Sequence, residues 1–132
     1  IAFNGPGVNI PMISIRSYPY PEYHTSDDNL SIITEKRLEE SKSLILEILK
    51  IIDEDFTPKR KFKGPIFLSG YDLWVDWRKN LELNQNMEKI MLNLEGDKTV
   101  FDIAEELNMN FNDVLIFINK LKDLKLVEKN EK

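Results

Sequence analysis

The last third of the chain constrains the fold most, because between Met87 and Val127 apolar residues recur at helical spacing in three separate runs with end signals between them. Met87, Ile90, Met91 and Leu94 make one stripe, which stops at Glu95-Gly96, where glycine can take the left-handed backbone of a C-terminal cap. Thr99 opens a second run with Asp102 three residues on, a capping-box arrangement, and Ile103, Ala104 and Leu107 turned inward. Asn110 opens a third with Asp113 three residues on, and Val114, Phe117, Ile118, Leu121 and Leu124 face in. Leu126-Val127 then reads as a short strand. Three helices, a turn of about three residues between the second and third, and a closing strand predict a helix-turn-helix of the winged kind.

The first third is different. Residues 1–30 hold four of the six prolines, and only Ile10 to Arg16 alternates apolar and polar positions. That stretch predicts a short strand, Ile13 and Ile15 on one face and Met12 and Ser14 on the other, flanked by loops. From Thr34 the period lengthens: Leu38, Ile45, Leu49 and Ile52 fall on one stripe and Glu35, Lys36, Glu39, Glu40 and Lys42 on the other. This predicts an amphipathic helix of about five turns, capped by Thr34 and closed by Asp53-Glu54-Asp55 and Pro58. Lys59-Arg60-Lys61-Phe62-Lys63 puts four cations in five residues. A solvated linker is the preferred reading over a nucleic-acid patch. Ile66 to Trp77 mixes β-formers with Gly70 and predicts one or two short extended segments. The expected organisation is therefore α+β, with one unit over residues 1–56, a linker over 57–63 and the winged helix-turn-helix over 64–132.

Composition removes several function classes. The chain has no cysteine, one histidine, and 18 basic against 23 acidic side chains, for a net charge of -5. It therefore has no disulfide framework, thiol nucleophile or cysteine zinc finger, and no run of roughly 18 apolar residues for a membrane span. A cytoplasmic protein is expected. Nucleic acid is not expected as the main partner, because that affinity comes largely from cations neutralising phosphates. From Asn86 to Lys132, 7 lysines and no arginine stand against 10 carboxylates. The third helix of the run, which would read a groove, offers Asn112, Asp113, Asn119, Lys120 and Lys122, with no arginine for guanine. Trp74, Trp77 and Phe111 are read as core, or as surface for packing on another domain or subunit. The chain opens with Ile1 and has no basic or apolar leader, so it is expected to be the C-terminal part of something longer.

His24 lies in the polar loop Glu22-Tyr23-His24-Thr25-Ser26-Asp27-Asp28-Asn29. On residue type alone it is either a loop histidine bonded to a neighbouring carboxylate or a metal ligand. The stretch from His24 to Leu30 resembles the H-T-x-x-D-x-L segment of zinc aminopeptidases of the bacterial leucyl aminopeptidase type, in which the histidine is the last metal ligand. The longer run from Asn4-Gly5-Pro6-Gly7-Val8-Asn9-Ile10-Pro11 through Pro21-Glu22-Tyr23-His24-Thr25-Ser26-Asp27-Asp28-Asn29-Leu30 is similar to a family of bacterial aminopeptidase-like proteins associated with polysaccharide biosynthesis. Chains of that family end in a winged helix-turn-helix domain.

The resemblance implies that residues 1–56 are the C-terminal piece of an α/β/α zinc-aminopeptidase-like catalytic domain. His24 would be a metal ligand, and Asp28 a partner that orients the loop or the imidazole. Zinc would be the cofactor of the full-length hydrolase, acting on a peptide or aminoacyl-type substrate, while this chain alone would be inactive. No catalytic residue is assigned. The expected partners are the upstream catalytic domain and a second copy engaged through the winged-helix unit. The tyrosines of Arg16-Ser17-Tyr18-Pro19-Tyr20-Pro21 are read as packing on the prolines of a tight loop. The rival reading is a non-enzymatic winged-helix adaptor or regulator.

Overall fold

A computed structural model describes residues 4–130. The fold is mixed α+β, with four α-helices, two 3-10 turns and two small antiparallel sheets among the described residues. The chain divides into two compact units, Ile1–Glu47 and Ile48–Lys132. No helix among the described residues is long and apolar enough to cross a membrane.

In the first unit, β1 (Asn4–Gly5) and β2 (Val8–Asn9) pair antiparallel, Gly5 opposite Val8. Pro6-Gly7 turns between them. Proline suits the second position of such a turn, and Gly7 takes the positive φ, 77°, that the third position requires. The strand expected at Ile10 to Arg16 does not form. Pro11 removes a donor, no neighbouring strand among the described residues supplies partners for the rest, and Ile10, Met12, Ile13 and Ile15 are all exposed. A 3-10 turn at Leu30–Ile32 is capped by Asn29, whose Oδ1 accepts the Ser31 N–H at 2.9 Å. The long helix forms as expected: α1 spans Glu35–Glu54, and Thr34 Oγ1 accepts the Arg37 N–H at 3.3 Å. Its apolar stripe, Leu38, Ile45, Leu49 and Ile52, is exposed along its whole length.

The second unit holds the core. Three helices, α2 (Leu81–Leu92), α3 (Val100–Glu106) and α4 (Phe111–Asp123), bring Ile90, Val100, Ile103, Val114, Ile118 and Leu121 to full burial. Each such side chain contributes roughly 1.5–3 kcal/mol when removed from water. The capping box is present, with Thr99 Oγ1 accepting from the Asp102 N–H at 3.1 Å and Asp102 Oδ2 from the Thr99 N–H at 2.8 Å. Asn110 caps α4 through the Asn112 N–H at 2.9 Å. Asp113 is used differently, accepting from Asn80 Nδ2 at 2.9 Å, and so ties the start of α4 to the cap of α2.

Three expectations about this unit are corrected. Residues 57–63 are no free linker: Pro58–Arg60 is strand β3, paired antiparallel with β4 (Val127–Lys129) with Lys59 opposite Glu128. The last strand needs a partner, and this segment supplies it. Pro58 is buried, and Phe56 ahead of it joins the core, so the unit starts at Ile48 rather than at residue 64. The stretch Ile66 to Trp77 is not extended but folds into a 3-10 turn at Leu68–Tyr71, because left-handed Asp72 (φ 55°) turns the Leu73 N–H back onto Leu68 O at 2.9 Å. Gly96 does not cap α2, which ends at Leu92. It takes φ 88° against the sheet, where an added Cβ would sit 3.2 Å from the Lys59 side chain, and its carbonyl accepts from Asn130 Nδ2 at 2.7 Å.

Candidate functional site

The loop from Tyr18 to Asn29 owes its shape to short-range hydrogen bonds. Successive turns join the Tyr23 N–H to Tyr20 O at 3.4 Å and the Thr25 N–H to Glu22 O at 3.0 Å. Thr25 Oγ1 donates to Glu22 O at 2.7 Å and accepts from the Asp27 N–H at 3.2 Å. Asn29 Nδ2 donates to Asp27 O at 3.1 Å. These are the local bonds by which Asn, Asp and Thr favour turns over helix or sheet.

At the middle of this loop His24 has a left-handed backbone, φ 64°. The other non-glycine residues with positive φ, Asp72, Asn108 and Lys125, follow the ends of helical segments, where that conformation is common. His24 follows none. For a residue with a Cβ that geometry costs of order 1–3 kcal/mol and recurs at functional sites. The imidazole stacks on the Tyr23 ring with centroids 3.8 Å apart and planes 24° from parallel. It is exposed, and no hydrogen bond among the described residues uses either ring nitrogen.

Asp28 does not touch the imidazole. Its Oδ1 accepts the Tyr20 hydroxyl, closing the loop across eight residues. That bond, helped by the negative charge of Asp28, holds the Tyr20 phenol above its ordinary pKa. Tyr20 also lies 5.7 Å from the Tyr23 ring, so Asp28, Tyr20, Tyr23 and His24 form one chain of contacts. Sequence reasoning gave Tyr20 only a packing role. The spacing of a tyrosine and an aspartate on either side of a turn-rich segment was the available signal.

One imidazole does not make a zinc site. Among the described residues no three His, Asp or Glu side chains gather in a group able to hold an ion, so a metal is not accounted for by this chain's residues alone.

The α4 residues that a groove-reading helix would present are placed in the second unit. Asn112 accepts from Lys50 Nζ at 2.9 Å, Asp113 from Asn80, and Lys122 Nζ lies 5.0 Å from the Phe56 ring centroid. Phe111 is buried, whereas Trp74 and Trp77 are 60% and 54% exposed.

Residues 1–55 match the family model described as Domain of unknown function (DUF4910). No curated protein and no solved structure matches the chain.

Proposed function

We propose that this chain is the C-terminal portion of a cytoplasmic zinc aminopeptidase-like hydrolase, to which it contributes one metal-ligand histidine and a winged helix-turn-helix interaction module. The observation that carries the first half is His24 itself: an exposed imidazole on a left-handed residue, held by a loop whose polar groups bond mainly to one another and leave the ring nitrogens free. Asp28 acts through Tyr20 on the loop rather than on the ring. The remaining ligands and the general base belong to sequence that this chain does not contain, as does the site for a peptide or aminoacyl-type substrate. The end of the family match at residue 55 is in keeping with a module that stops before the second unit's sheet. The reading of residues 48–130 as a winged helix rests on three helices followed by a strand that pairs with β3.

Zinc analysis of the longer protein with and without His24→Ala tests the reading. Loss of bound zinc is expected. Unchanged stoichiometry and affinity would remove His24 from the site. Asp28→Asn should weaken binding less than His24→Ala does, in the roughly 10- to 100-fold range of groups that orient a ligand from behind.

A further inference from the structure

The second unit has a cleft of about 610 Å3 beside α2, with no part in the reading above. Met87 and Met91 on α2, Ile66 and Leu68, and the rings of Phe62 and Trp74 are among the residues that line it. Its volume is that of an ordinary small-ligand site, and its lining is mostly apolar with a few polar groups, as such sites are.

Two charged groups reach this lining, Arg60 and Glu88. They are not equivalent. Arg60 is neutralised by Glu95 and also sits 6.0 Å from the Phe62 ring centroid. Glu88 has no ion pair or side-chain hydrogen bond among the described residues, so the uncompensated charge of the cleft is negative. The two tryptophans differ in the same sense. Trp77 carries the Arg78 guanidinium 4.8 Å from its ring centroid, whereas Trp74, 60% exposed, has no cation over it among the described residues. An aromatic face and an unpaired carboxylate at one apolar cleft are the groups that together recognise an organic cation. The chain's net charge of -5 adds a long-range attraction of the same sign.

We propose that this cleft binds a small organic ammonium ion with an apolar body, the cation placed between Trp74 and Glu88 and the body on Met87 and Met91. The test is NMR of the indole N–H resonances of the whole chain, with Trp77→Phe to assign Trp74, titrated with benzyltrimethylammonium. Benzyl alcohol and benzenesulfonate serve as neutral and anionic controls on the same ring. A saturable shift of the Trp74 signal with the ammonium probe is expected, weakened roughly tenfold by Glu88→Gln, and little response to either control. Glu88 is exposed, so its amide variant should fold as the parent does. The proposal is overturned by the absence of a saturable shift, by equal or tighter binding of the alcohol or sulfonate, or by a Glu88→Gln variant that binds the ammonium ion unchanged.

Discussion

Asp55 caps a helix far along the chain: its Oδ1 accepts the backbone N–H of Phe101, 46 residues after it and the second residue of α3, at 3.0 Å. Beside that bond, Phe56 O accepts the Val100 N–H at 2.9 Å, and Thr99 Oγ1 takes that of Asp102 at 3.1 Å. The three donors that open α3 are thus each satisfied, two of them by the residues that follow α1. An α3 of seven residues is too short to be stable by itself, so this first turn is where tertiary structure holds it.

Asp55→Ala should therefore destabilise the second unit by about 1 kcal/mol, the ordinary cost of a lost N-cap acceptor, and Thr99→Ala by a similar amount. Because both act on one turn, the double variant should lose less or more than the two losses added. Urea unfolding at unchanged slope gives these values. A midpoint that does not move in Asp55→Ala would show the bond to be idle.

The parts of the fold legible in the sequence were those encoded locally. Thr99 with Asp102, Asn110 before α4, and the stripe from Val114 to Leu121 each carry their signal within a few residues, and each is found in place; Leu124, expected on the same stripe, is exposed instead, because α4 has ended at Asp123. What was not legible depended on distant partners. Lys59-Arg60-Lys61 reads as a solvated run until β4 arrives about seventy residues later to pair with it. Ile10 to Arg16 has strand alternation, but alternation does not supply a neighbour. At the candidate site, His24 was visible as the lone histidine in a polar loop. Its left-handed backbone, and the use of Asp28 on Tyr20 rather than on the imidazole, depend on turn geometry that residue type does not specify.

Core and surface apolar positions should respond very differently to truncation. Ile118, fully buried between helices, should lose roughly 2–5 kcal/mol on change to Ala, from lost burial and the cavity left behind. Leu49 on α1 is 55% exposed, and Leu49→Ala should fall within roughly 0.5 kcal/mol of the parent. Equal losses in chemical denaturation would mean that Leu49 is covered in solution.

The Tyr20–Asp28 bond makes the loop's order sensitive to high pH, which removes it. The neutral phenol is the donor, and its pKa is raised in the folded loop, so the contribution is complete below the ordinary tyrosine value of about 10 and is lost as pH rises through the raised value. Asp28→Asn removes the charge that opposes ionisation. Following the Tyr20 ring signals by NMR, with Tyr20→Phe for assignment, should show it titrating at lower pH in Asp28→Asn than in the parent. Identical titration curves would mean that the hydroxyl and carboxylate do not meet.

Duplex DNA should not bind the second unit specifically. Counterion release from phosphates supplies most sequence-independent affinity, and residues 86–132 carry more carboxylates than lysines and no arginine. The side chains of α4 that could reach base edges are already engaged: Asn112 by Lys50, Asp113 by Asn80, and Lys122 over Phe56. Freeing any of them for a groove would give up a contact that holds the end of α1, or the cap of α2, to α4. Base recognition would then have to compensate for both the repulsion and the broken contacts, with only Asn119 and Lys120 left on the helix to do so. Fluorescence anisotropy with random and genomic duplexes at about 0.15 M salt should show no saturable binding below micromolar concentrations. Sequence-dependent binding there would overturn the peptidase-associated reading of this unit in favour of a regulator.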